Sequence, residues 1–439
     1  MTPVSSSRRL ALLAALASSV LLAACGGGGG DGPGNTNLRA INLTTDLPSI
    51  DVFTGDTRRF SAVATDAVAT SISLEANTYT LNVKKANDGA SLFTGSYTLA
   101  KDQNYTAVVW GRETALRVST LPEDENVDNI TDATNARVRF FNATTDTGAV
   151  DVFITAASAD LGEAQPIQTA LTSGSLSGFR DISAASYRLR VTGAGDPNDV
   201  RLDIPSITLP AKKYATLVLT AGAGGVLVNG TLIEQRAGVT TLKNTKARVR
   251  MVASVGGAGN VGASLGGSTL VGALRSPGVG PYTLVASGSQ ELIVRVNGVP
   301  INTATRTFAP GADYTLLAYG AENAGTVAVL TDDNRLPNIN TRAKIRIVNG
   351  LSGTEPLTLQ VDFLTQSATS DIVAGAGSAY ATVTAAGSAR LDVTSPTSPV
   401  PLYSVTAATS ANLFQAQGVY TVFMLGGQAT ATGRLSRDR

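Results

Sequence analysis

The residues that could do chemistry in this chain are few, and what is missing narrows them further. Among its 439 residues there is no His and one Cys. Gly262-Ala263-Ser264-Leu265-Gly266 matches the spacing of a nucleophile elbow, whose Ser needs a His base that the chain lacks. Every His-ligated metal site is absent for the same reason, and there is no Ser-x-x-Lys spacing to replace the triad. Gly257-Ala258-Gly259-Asn260-Val261-Gly262 matches a dinucleotide fingerprint without the strand-helix context that would give it meaning. Asp124-Glu125-Asn126-Val127-Asp128 supplies the first oxygen ligands of a calcium loop, but Asn129 and Asn135 stand where Gly and Glu are required. A weaker calcium site at that acidic joint is the most this segment allows. Carboxylate chemistry remains, since a glycan-processing pair needs only Asp or Glu. Asp51 and Asp151 are the candidates, and between apolar strand neighbours they read as turn caps or solvent-facing groups rather than catalysts. The residues therefore assign no catalytic, cofactor or metal site.

The elements that would position such groups recur about every hundred residues. Each unit opens with a basic alternating strand: Arg39-Ala40-Ile41-Asn42, Ala136-Arg137-Val138-Arg139-Phe140, Ala247-Arg248-Val249-Arg250-Met251 and Ala343-Lys344-Ile345-Arg346-Ile347. Each closes on a Tyr-led apolar strand headed by Tyr105, Tyr214, Tyr314 or Tyr420, and these lie 109, 100 and 106 residues apart. That period is domain-sized rather than the 20–50 residues of a solenoid coil. Short alternating strands separated by Gly, Asn, Asp and Ser turns predict an all-β chain of tandem β-sandwiches. The expected boundaries are 37–130, 131–240, 241–340 and 341–439, the third unit being degenerate. The arginines of the opening strands read as the solvated face of a sheet edge. The closing tyrosines read as core or tyrosine corners, in which the hydroxyl ties back to the backbone. Trp110, inside an apolar strand, reads as core.

The N-terminus reads as an address. Arg8 and Arg9 precede an apolar stretch over residues 10–22, too short to span a bilayer, and Leu22-Ala23-Ala24-Cys25 follows. This segment resembles a bacterial lipoprotein signal, which implies cleavage before Cys25 and a diacylglycerol anchor on it. Gly26 in place of Asp implies an outer-membrane address. Residues 26–36 are Gly-rich and read as a flexible tether. With Cys25 lipidated no intrachain disulfide can form, so each unit must stand on packing and hydrogen bonds. Charged residues make up 15% of the chain and the net charge is +1, which excludes nucleic acid as an expected partner.

The strands themselves resemble the bacterial domain of unknown function 4397. Ile50-Asp51-Val52-Phe53 and Val150-Asp151-Val152-Phe153 fit its Val-Asp-Val-Phe element. Thr78-Tyr79-Thr80-Leu81-Asn82-Val83 and Ser186-Tyr187-Arg188-Leu189-Arg190-Val191 fit its Gly-Tyr-x-Leu-x-Val element. The third unit lacks the first element, and the fourth retains Leu359-Gln360-Val361-Asp362-Phe363. The resemblance implies exported, often lipid-anchored, immunoglobulin-like sandwiches with no activity to carry over. The resulting expectation is a non-enzymatic envelope protein, a lipid-tethered rod of four sandwiches. It would meet the membrane through its N-terminus and a protein or polysaccharide partner through its domains. The alternative is a carboxylate-dependent glycan-processing enzyme.

Overall fold

The computed structural model describes residues 34–407 and 413–439, so the expected signal and the Cys25 anchor lie outside the described residues. The described chain is built of β-strands and a few single-turn 3₁₀ segments. In the first unit β1 (Asn35–Thr44), β2 (Ser49–Thr54), β3 (Thr57–Ala64), β4 (Ile72–Glu75), β5 (Asn77–Lys85), β6 (Ser91–Leu99), β7 (Asn104–Gly111) and β8 (Arg117–Pro122) form two sheets, ordered β4-β1-β7-β8 and β3-β2-β5-β6. The second unit repeats this with β9 (Asn135–Ala143), β10 (Val150–Thr155), β11 (Gln168–Leu171), β12 (Arg180–Ser183), β13 (Ser186–Gly193), β14 (Asp196–Thr208), β15 (Tyr214–Ala221) and β16 (Val228–Glu234), and adds β17 (Val239–Leu242) at the edge. The third comprises β18 (Lys246–Val255), β19 (Asn260–Leu265), β20 (Ser268–Arg275), β21 (Gly278–Val279), β22 (Thr283–Ala286), β23 (Gly288–Val296), β24 (Val299–Phe308), β25 (Asp313–Ala321) and β26 (Ala324–Asp332). The fourth comprises β27 (Arg342–Leu351), β28 (Thr358–Val361), β29 (Leu364–Thr365), β30 (Ala381–Thr384), β31 (Arg390–Thr394), β32 (Tyr403–Thr406), β33 (Val419–Gly426) and β34 (Thr432–Arg437).

In all four units the opening strand lies parallel to the closing one, in the pairs β1/β7, β9/β15, β18/β25 and β27/β33. A parallel pair needs a long crossover, and here the intervening strands cross to the second sheet and back. The opening strand is therefore central, with an antiparallel neighbour on its other side. The expected solvated sheet edge is corrected by this topology. Leu38 and Ala40 of β1 face the first unit's own core, whereas Ile41 and Leu43 enter a second cluster with Trp110, Phe141 and Val218. That second cluster joins units one and two face to face. Val252, Leu317, Val348, Phe423 and Leu425 join units three and four in the same way. A strand buried on both faces reads as a nearly continuous apolar run, which is why the closing strands look as they do.

The rod is also corrected. The sandwiches pack in two face-to-face pairs, and the pairs touch. Gly224 N donates to Gly311 O at 2.8 Å, and Asn334 N donates to Gly224 O at 3.0 Å. Gly225, at φ +87°, lies so close to Arg335 that a Cβ would come within 2.5 Å of its backbone. Arg112 of the first unit, Asp146 of the second and Lys344 of the fourth line one cleft, which a linear string of domains would not allow.

Two details differ from the motif reading. The third unit keeps the second strand, β19, although its sequence has Gly262 where units one and two have Asp. Asp362 and Phe363 of the fourth do not continue a strand. With φ of 50° and 65° they form the two-residue turn of the β28–β29 hairpin.

Candidate functional site

The register of the parallel pairs sets Arg39 beside Thr106, Arg139 beside Thr216, Arg250 beside Thr315 and Arg346 beside Thr421. In each case the Arg Nε donates to the Thr Oγ1, at 2.8, 2.9, 2.8 and 3.1 Å respectively. All four arginines are buried. They point away from their own sandwich core and into the interface between paired units. Burying a guanidinium is costly unless its remaining donors are satisfied.

Units three and four satisfy them by exchange. Arg250 of unit three makes a two-pronged pair with Asp438 of unit four, at 2.5 and 3.2 Å, while Arg346 of unit four pairs with Asp332 of unit three. Such reciprocity is that of an isologous two-fold interface, here between two domains of one chain. Thr315 and Thr421 donate hydrogen bonds from their hydroxyls to Asp332 and Asp438, at 2.6 and 2.5 Å. Burial would raise the Asp332 carboxyl, but Arg346 and Arg250 hold it below the usual carboxylate range.

Units one and two carry a weaker version. Arg39 keeps its own unit's Glu123 at 2.5 Å and reaches Glu234 O at 3.2 Å and Ala237 O across the interface. In unit two the neutral Gln235 follows β16, and it bonds the backbone of Glu125 instead. Arg139 is left with Pro122 O at 3.0 Å, and burial pushes its pKa down, opposed by the charges of Glu125 and Glu123.

A ring closes the cluster in three units. Continuing the antiparallel register of β12, β22 and β30 brings Phe179 opposite Arg139, Tyr282 opposite Arg250 and Tyr380 opposite Arg346. Each guanidinium lies over its ring, 4.6, 4.5 and 4.9 Å from the centroid. Tyr282 also donates its hydroxyl to Asp332 at 2.6 Å. In unit one the same register places Ser71 opposite Arg39. A cleft of about 340 Å³ lies there, lined by Arg39, Ser71, Asn104, Tyr105, Glu123 and Arg236. The equivalent space in unit two, where Phe179 stands, measures about 10 Å³.

The residues singled out in the sequence go to separate places. Asp51 and Asp151 are buried in different sandwiches and accept backbone N–H groups from Ala62 and Ala170, both at 2.7 Å. Those two alanines have positive φ, at irregularities in the neighbouring strands β3 and β11, so the carboxylates cap bulges. Tyr105, Tyr314 and Tyr420 accept the N–H of the residue five positions earlier, at 3.3, 3.0 and 2.8 Å, in the manner of tyrosine corners. Tyr214 instead accepts from Arg137 at 3.3 Å. Trp110 is core, but of the interface between units, stacked edge-on against Phe141 with centroids 5.6 Å apart. Ser264 sits inside β19 rather than on a strand-to-helix turn. Asp124 of the acidic joint is occupied by Asn104 and Arg236. The acids of the interface were missed, although a signal existed. Glu123, Asp332 and Asp438 each follow the closing Tyr of their unit by 18 residues.

A family model described as "Domain of unknown function (DUF4397)" matches residues 36–153 and 247–360. Each match runs from the opening strand of one sandwich into the second strand of the sandwich paired with it. Comparison with curated proteins yields no match. Among solved structures, the chain is similar to CBMbc (family CBM26) from Eubacterium rectale Amy13K in complex with maltoheptaose, at 9% identity and a TM-score of 0.15, over 46% of this chain and 96% of that one. It is also similar to the Bacillus anthracis TIE protein, at 11% identity and a TM-score of 0.14, over 89% and 68% of the two chains.

Proposed function

The chain belongs to the DUF4397 family, and from that premise we propose that it is a non-enzymatic binding protein of the bacterial cell envelope, held to the outer membrane by a lipid on Cys25. One observation carries the reading: the polar side chains with chemical potential are consumed as framework. Arg250 and Arg346 bond Thr315, Thr421, Asp332 and Asp438, while Arg39 and Arg139 bond Thr106, Thr216, Glu123 and nearby backbone. Asp51 and Asp151 hold bulges in separate sandwiches, whereas a glycosidase needs two carboxylates facing each other at about 5–10 Å. Four sandwiches clamped into two pairs offer a rigid surface for a protein or polysaccharide partner.

The anchor is tested by labelling cells with palmitate and fractionating them. Wild-type protein is expected in the membrane fraction with label, and Cys25→Ser in the soluble fraction without it. Equal membrane recovery of both would remove the lipid from the proposal. Protease treatment of intact and lysed cells then decides which partners can be reached. Digestion in intact cells directs the search to the cell surface, and protection until lysis directs it to the periplasm. A hydrolytic activity on envelope glycans that vanished in Asp51→Asn or Asp151→Asn, with folding intact, would reverse the non-enzymatic reading.

A further inference from the structure

We infer that the cleft over Arg39 is a binding site for a phenolic ring supplied from outside the sandwich. The inference rests on the reading of the protein as a binding module and names a ligand class for one place on it. Three of the four units place an aromatic ring on the guanidinium of the conserved-register Arg, and in two of them the ring is a tyrosine. Unit one has the same Arg in the same bond to Thr106 but offers Ser71 in place of the ring. Among the described residues no ring lies over Arg39. The volume that results is enough for one substituted ring, and Thr70 and Ser71 at its mouth are exposed.

The walls match a phenol rather than a plain ring. In unit three the Tyr282 hydroxyl donates to Asp332, the acid that ends its sheet. Glu123 is the corresponding acid in unit one and lines the cleft. One of its oxygens takes Arg39, and the other receives only the Arg236 N–H at 3.3 Å, which leaves it lone-pair capacity. A ring on Arg39 with its hydroxyl on Glu123 would reproduce the arrangement that Tyr282 completes from within its own unit.

The test is titration of the full chain with p-cresol and with N-acetyl-tyrosinamide, followed by saturation-transfer NMR. Wild type is expected to bind both weakly and saturably, and N-acetyl-phenylalaninamide about tenfold less well, since a hydrogen bond to a charged acceptor is lost. Tighter binding of the tyrosinamide than of p-cresol would identify the source as a tyrosyl residue of a polypeptide, and equal binding a free phenol. Ser71→Tyr is expected to abolish the signal by filling the cleft from within, while Ser71→Ala retains it. Absence of saturable binding of either phenol to wild type overturns the assignment, as does undiminished binding to a folded Ser71→Tyr protein. Neither result would affect palmitate labelling of Cys25 or capture of a partner elsewhere, so failure of the site is distinguishable from failure of the general binding role.

Discussion

At the scale of single residues, the molecule spends charge where charge is expensive. Asp332 is fully buried with two guanidiniums for company, and one carboxylate answers both Arg346 and, at 3.7 Å, Arg250. Asp332→Ala would leave those cations without that partner in a water-poor interface, and a loss of about 3–5 kcal/mol is expected. Adding Arg346→Met should recover part of it, because an apolar side chain has no desolvation to compensate. Denaturant melts of the single and double variants check this, and a double variant weaker than Asp332→Ala would contradict it. At the rim of the same interface, burial raises the Asp333 carboxyl, but Arg335 and Lys344 outweigh it and bring it down to about 2 from an ordinary 3.8. Asp332 is lowered as well. A carboxylate whose folded pKa lies below its unfolded one contributes its full stability above the unfolded value and loses it as pH falls through the folded value. The melting temperature should therefore drop between about pH 4 and pH 2, and Asp333→Asn should flatten that limb. Parallel curves for the two proteins would rule the pair out as a source of acid sensitivity. None of this was visible as function in the sequence, where the arginines looked like an ordinary polar face. Their spacing was plain, but the identity of what covers them depends on a second domain.

At the scale of elements, a Val-Asp-Val segment is a strand with a purpose for its middle residue. Alternation sends Val150 and Val152 into the core and Asp151 to the other face, where it would be solvated if the next strand were regular. The neighbouring strand is irregular, and Asp151 collects the N–H groups of Ala170 and Gly195 at 2.7 and 2.8 Å. Asp151→Ala strands both donors, so a loss of at least about 1–3 kcal/mol is expected, without effect on partner binding at distant surfaces. Thermal melts read this directly, and an unchanged melting temperature would show that the bulge holds itself. The strand and its inward residues were legible because period two survives in a single sequence. The bulge was not, since an extra residue in a partner strand leaves no periodic mark. The third unit makes the same point from the other side. Gly262 replaces the Asp and the motif vanishes, yet β19 forms because Val261, Ala263 and Leu265 still alternate into the core.

At the scale of the whole molecule, the four sandwiches behave as two pairs. A compact chain of this length has a radius of gyration near 22 Å, whereas four hundred-residue spheres in line would approach roughly 40 Å. Small-angle scattering of a soluble form lacking residues 1–33 should fall well below the linear value, and a result near it would mean that the pairs separate in solution. By itself the sequence determined the repeat, the all-β class, the strands and their inward faces, and the tyrosine corners of units one, three and four. Those follow from local alternation and from turns that carry their own chemistry. It also determined the absence of His and with it a wide exclusion of catalytic schemes. Only the tertiary structure decided that the basic strands are central, that Arg250 and Arg346 trade acids with the opposite domain, and that Ser71 leaves a cleft where its counterparts place a ring. Each of these depends on register between strands far apart in the chain or on the second face of a sheet, and hydrophobic alternation records burial of a face without recording what buries it.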